Sequence, residues 1–196
     1  MTAALTEDER TYLLKLAREA IRCAVEERRA LELDQETVPP GRLRELGASF
    51  VTLTIDGGLR GCTGSIEPRE PLAENVLRSA VTSALYDYRF EPLSEPELAH
   101  IAIEISVLTP PEPYAPASPE ALLAHLAERR PGVILEQGFH RATFLPQVWE
   151  KLPDPEEFLE HLSAKAGLRL NAWREKDTEY QLYDVEMFEE HRQMKT

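Results

Sequence analysis

Phe50-Val51-Thr52-Leu53-Thr54-Ile55-Asp56-Gly57-Gly58-Leu59-Arg60-Gly61-Cys62-Thr63-Gly64-Ser65 is the stretch that decides the fold. Val51, Leu53 and Ile55 alternate with Phe50, Thr52 and Thr54, the period-2 pattern of a half-buried β-strand. Asp56-Gly57-Gly58 then supplies a tight turn, because glycine accepts positive φ without a Cβ clash. The chain is therefore expected to double back as a hairpin, with Leu59–Ser65 on the return strand and the bend after it.

Upstream, Thr6-Glu7-Asp8-Glu9 reads as a capping box, in which the Thr6 hydroxyl and Glu9 carboxylate satisfy each other's backbone N–H. Leu13, Leu16, Ala17, Ala20, Ile21, Ala24 and Val25 follow at helical spacing and predict an amphipathic helix to about Ala30. Cys23 lies beside that stripe, where a small buried thiol is common. Residues 31–47 read as a connecting loop with one turn of helix. Downstream, Pro71 suits the first turn of a second helix carrying Leu72, Val76, Ala80 and Ala84 on one face. The clearest strand places Ile101, Ile103, Ile105 and Val107 on one side and Ala102, Glu104, Ser106 and Leu108 on the other. Glu104 thus faces solvent or lines a cleft.

Residues 109–119 hold five prolines in eleven positions, a density that no helix or central strand tolerates. They predict a stiff extended connection able to join two lobes. Beyond it, Ser118-Pro119-Glu120 opens a short helix to about Arg129. Strands at Val133–Leu135 and Ala142–Leu145 pair about Gly138, and Pro146 starts another turn. Asp154-Pro155 caps a further helix that ends near Gly167. A last strand is expected near Tyr180–Phe188. Helices and strands mix without regular βαβ alternation, which predicts an α+β fold, mainly antiparallel sheet with packed helices, in two unequal subdomains.

Composition narrows the class. Against 22 Lys and Arg stand 35 Asp and Glu, a formal charge of −13, which disfavours nucleic acid and anionic membranes as partners. No run approaches the ~20 apolar residues of a membrane span. The first residues lack the basic and apolar regions of a signal peptide. Two cysteines give no disulfide framework and fit a reducing cytoplasm. No P-loop, G-x-G-x-x-G, C-x-x-C or H-E-x-x-H occurs, so no nucleotide, iron–sulfur or metal cofactor is signalled. The histidines at 100, 125, 140, 161 and 191 are scattered. His140, in a glycine-containing turn, is the one best placed to serve a site.

Chemistry therefore concentrates in Arg60-Gly61-Cys62-Thr63-Gly64-Ser65. One reading is a reactive thiol: Arg60, two residues from Cys62 along a strand, shares its face and stabilises the thiolate. Flanking glycines then admit a ligand, and consecutive amides with the Ser65 hydroxyl hold an anion. The other reading is structural, with glycines shaping a bend and cysteine filling a small apolar space. Asp87 and Arg89 read as a local ion pair after the second helix.

Leu59-Arg60-Gly61-Cys62-Thr63-Gly64 resembles the L-R-G-C-I-G signature of the AMMECR domain family, whose prokaryotic members are called AmmeMemoRadiSam system protein A. Asp87-Tyr88-Arg89-Phe90, Ile103–Pro110, Phe144–Val148 and Phe158–Gly167 extend the resemblance over nearly the whole chain, in the family's order. The resemblance implies a single AMMECR-type domain over residues 1–196, made of two intertwined subdomains with a cleft between them and the signature loop near it. It also implies association with a Memo-like protein and a radical-SAM protein. Carried over residue by residue, Arg60, Gly61, Cys62, Gly64, Asp87, Arg89, Phe90 and Gln147 are the candidate site residues, with Thr63 and Ser65 beside them. Thr63 replaces the usual isoleucine and Tyr88 the usual proline. Two functions remain open: a thiol-dependent enzyme or catalytic subunit using Cys62 and Arg60, and a non-catalytic adaptor presenting the same loop to those partners.

Overall fold

The computed structural model describes residues 4–190. In chain order the elements are α1 (Glu7–Glu26), β1 (Leu46–Ile55), β2 (Gly58–Gly64), β3 (Glu70–Pro71), α2 (Leu72–Leu85) and β4 (Ile101–Leu108). After β5 (Glu112–Tyr114) come α3 (Pro119–Arg129), β6 (Gly132–Gln137), β7 (His140–Phe144), α4 (Pro155–Lys165), β8 (Glu179–Tyr183) and β9 (Val185–Glu189). The chain divides into two compact units, one running to Pro110 and resuming at Glu186, the other covering Pro111–Val185. The architecture is α+β, with four α-helices and two antiparallel sheets among the described residues.

In the first unit the strand order is β2-β1-β4-β9, with β3 paired to the start of β1. Val51 and Leu53 of β1 and Ile101, Ile103, Ile105 and Val107 of β4 are buried on the face that α1 and α2 cover. Burying such a side chain contributes roughly 1.5–3 kcal/mol each, so this layer carries most of the unit's stability. α1 starts where its capping box does: Thr6 N–H donates to Glu9 at 2.8 Å and Glu9 N–H to Thr6 Oγ1 at 3.3 Å. It stops four residues short of Ala30. Arg28 adopts φ 51°, and the Cys23 carbonyl accepts from both Glu27 and Arg29 N–H. Residues 31–45 are irregular apart from a 3-10 turn at Arg42–Arg44.

The second unit has strand order β5-β8-β6-β7 over a core of Leu122, Leu126, Val133, Phe158, Leu162 and Trp173. Trp149 stacks on Phe158 with ring centroids 3.7 Å apart. The proline run contributes β5, an edge strand, where the missing N–H of Pro113 is tolerated. The stretch read as one strand near Tyr180–Phe188 is two strands in different sheets. Tyr180 and Tyr183 are both buried, which breaks period-2 alternation, and Asp184 marks the exchange. Pro71 precedes α2 as its cap residue, within β3, rather than opening its first turn.

Candidate functional site

Cys62 sits on β2, the edge strand of the first sheet, directly opposite Thr52 of β1. Its backbone polar groups are held by side chains from the segment after α2. Cys62 N–H donates to Asp87 Oδ2 at 2.9 Å, and Arg89 Nη2 donates to the Cys62 carbonyl at 3.0 Å. Arg89 also grips Asp87 through Nε at 2.9 Å and Nη2 at 2.7 Å. Asp87 and Arg89 therefore clamp one residue of an edge strand, whose polar groups otherwise form a template for another chain. Asp87 is only 5% exposed, so the pair is stronger than a surface ion pair. The Arg89 guanidinium holds the Asp87 carboxyl well below its ordinary range despite burial, and the Cys62 and Arg89 amides reinforce it.

The thiol itself accepts a hydrogen bond from Thr52 Oγ1 at 3.3 Å. Among the described residues no histidine or carboxylate bonds to it. His140 Nδ1 lies 2.9 Å from the Ala166 carbonyl, His125 stacks on Tyr114, and His161 lies beside Glu157. His191 falls outside the described residues.

Arg60 is placed by a β-bulge. Gly61 pairs with Leu53 and Leu59 with Thr54, so Arg60 is the extra residue. It binds Glu97 with two bonds, Nε–Oε1 at 2.8 Å and Nη2–Oε2 at 3.2 Å. That guanidinium, together with Ser94, holds Glu97 down to about 2. Phe90 lies beneath both cations, 5.9 Å from Arg60 and 5.6 Å from Arg89. The cation that touches Cys62 is therefore Arg89.

The glycines serve close packing. A Cβ on Gly61 would stand 2.1 Å from the Ser83 carbonyl, and one on Gly64 2.1 Å from that of Ser49. Thr63 turns toward α2: its N–H donates to Ser83 Oγ at 2.8 Å and its hydroxyl to the Ser79 carbonyl at 3.1 Å. Ser83 Oγ in turn donates to the Val51 carbonyl, so these hydroxyls weld β2 and β1 to α2. Ser65 Oγ accepts from Asn75 Nδ2 at 2.9 Å. Gln147 belongs to the second unit, in a 3-10 turn at Pro146–Glu150. Thr52, Ser83, Asn75 and Glu97 were missed as site residues. The capping box Ser94-Glu95-Pro96-Glu97 was a readable signal for the last of them.

A clamped cysteine on a bulged edge strand, in an α+β chain of two units, defines the class, and comparison with known proteins supplies the family. The AMMECR1 family model matches residues 14–188, and the chain belongs to that family. It is 38% identical to a protein of Thermofilum pendens, covering 95% of this chain and 92% of the relative. It is 37% identical to protein MK0488 of Methanopyrus kandleri over 97% and 92%. The crystal structure of uncharacterized protein PH0010 from Pyrococcus horikoshii has a TM-score of 0.87 at 35% identity, covering 95% of this chain and 94% of that one. No helix among the described residues is long and apolar enough to cross a membrane.

Proposed function

We propose that the chain is a thiol-dependent catalytic subunit whose working group is Cys62, acting in the reducing cytoplasm beside a Memo-like and a radical-SAM protein. The observation that carries this reading is the Thr52 hydroxyl donating to Cys62 Sγ, on a strand whose backbone Asp87 and Arg89 hold rigid. A hydroxyl donor at the sulfur fixes its direction and is already in place for negative charge that develops there in an attack. Arg89 approaches the same residue through Nη2, 3.0 Å from the Cys62 carbonyl. Arg60 is paired with Glu97 and Arg89 with Asp87, so these four groups hold the strand and its surroundings in place. Alkylation of Cys62 at pH 7, in a chain carrying Cys23→Ser, tests it. Cys62 should react several-fold faster folded than in the urea-unfolded chain, and Thr52→Val should slow the folded reaction. Protection until unfolding would overturn the reading.

Tyr86 and Tyr88, 72% and 96% exposed on either side of Asp87, favour a second reading, a non-catalytic recognition surface around the same loop. Aromatic side chains combine large contact area with a polar tip, as interfaces require. Tyr86→Ser with Tyr88→Ser would then abolish partner binding without altering Cys62 alkylation.

A further inference from the structure

A groove of about 480 Å³ lies in the first unit, among the last turn of α1, the C-terminal half of α2 and the loop after α2. Its volume falls in the range of small-molecule sites. The apolar lining comes from Val25 of α1, Val81 and Leu85 of α2, and Pro92 and Leu93 of the loop. No residue of Arg60–Ser65 lines it, so the groove stands apart from the Cys62 site. Its charged lining is Arg28 and Arg29, and no carboxylate of the described residues shares it, in a chain whose formal charge is −13. The two arginines differ. Glu19, Glu26 and Glu27, the carboxylates near the end of α1, are taken up by Arg22 and Arg29. Arg28 is exposed and pairs with no carboxylate among the described residues. It stands at φ 51° just past the helix, a place where glycine is the usual residue. Tyr86, 72% exposed, adds an aromatic ring with a polar tip. The groove thus joins apolar surface to one uncompensated guanidinium.

We infer that this groove binds a small organic monocarboxylate with an apolar body. The body covers Val25, Val81, Leu85 and Pro92, and the carboxylate accepts two parallel N–H bonds from Arg28. One free guanidinium matches a single negative charge. A phosphate dianion would leave charge unmatched, and a cationic ligand would meet two arginines. Burial of the apolar body supplies affinity that an exposed ion pair alone lacks. The inference does not depend on the reading of Cys62.

Hexanoate, octanoate and phenylbutyrate, titrated into the full isotope-labelled chain at low ionic strength and followed by amide NMR shifts, test it. At least one should saturate with a Kd of about 5 mM or tighter, the affinity expected of so few atoms. The largest shifts should fall at Val25–Arg29, Val81–Tyr86 and Leu93. The matching alcohol should bind more than about two-fold more weakly, since it lacks the charge. Arg28→Gly, which suits φ 51°, and Arg28→Gln should each weaken the carboxylate more than about two-fold, both variants melting as folded proteins. No Kd below about 5 mM for any of the three acids overturns the inference. So does an affinity in Arg28→Gly within two-fold of the parent's. Shifts centred on Cys62 and Asp87 instead of the groove would place the ligand elsewhere and overturn it as well.

Discussion

Asp87 Oδ2 accepts the Cys62 amide N–H at 2.9 Å across 25 residues of sequence, making a buried carboxylate the cap of an edge strand. Removing it leaves that N–H and the Arg89 guanidinium without their acceptor. Asp87→Ala should cost about 2–4 kcal/mol, and Asp87→Asn less, because an amide oxygen still accepts the Cys62 N–H. Trp149 and Trp173 both lie in the second unit, so far-UV circular dichroism rather than fluorescence should read the loss. It should appear as a lower urea midpoint at pH 7 with an unchanged slope.

Arg60 and Glu97 set an acid-side dependence. The Glu97 carboxyl is held down to about 2 from an ordinary 4.5, chiefly by Arg60. A depressed folded value contributes stability that is complete above 4.5 and is lost as pH falls toward 2. Both side chains are less than a third exposed, and the pair should supply ~1–2 kcal/mol. Arg60→Gln should lower stability by that amount at pH 7 and flatten the fall between pH 4.5 and 2. Equal slopes in the variant and the parent would show that Arg60 does not set the Glu97 value.

The hairpin around Asp56-Gly57-Gly58 and the isoleucine strand were legible because their information is local: strict alternation and a glycine turn. The bulge at Arg60 was not, since nothing nearby in sequence shows that β2 carries one residue more than β1 there. That single slip turns Arg60 to Glu97, where an unbroken strand would have kept it on the Cys62 face. Asp87 was visible as a motif residue, but its work lies in a contact with β2 that only the fold creates. Thr52 was assigned to the right alternation pattern. Its alignment with Cys62 needed the register between strands. The division of Tyr180–Phe188 between two sheets was hidden because each piece alone reads as a strand.

Gly61 and Gly64 should tolerate no side chain. An alanine Cβ would meet carbonyl oxygens at 2.1 Å, and these belong to α2 and β1 backbone that cannot rotate aside. Gly61→Ala and Gly64→Ala should each cost more than about 2 kcal/mol, or prevent folding. Gly57, at φ 79° in the turn with nothing within 4 Å of a Cβ, should lose only about 1 kcal/mol as alanine, the strain of a left-handed residue. Thermal melts of the three variants rank them. Equal losses would mean that turn strain, and not the approach of Ser83 and Ser49, fixes the glycines.

The two thiols should separate cleanly in the natural chain. Cys23 is 0% exposed within α1's packed face, and burial first, then its bond to Glu19, pushes its thiol upward and away from the reactive thiolate. Cys62 is half-buried on an edge strand with a hydroxyl donating to its sulfur. Iodoacetamide at pH 7 should therefore stop at one adduct per native chain, mapped to Cys62 by peptide mass spectrometry, and reach two after unfolding in urea. Cys23 reacts only when α1 leaves its partners, so its labelling rate reports the opening of that helix. Should Cys23 prove the first to react, local opening of α1 would be faster than access to β2, and the rigidity assigned to the Asp87–Arg89 clamp would be burying the thiol instead of presenting it.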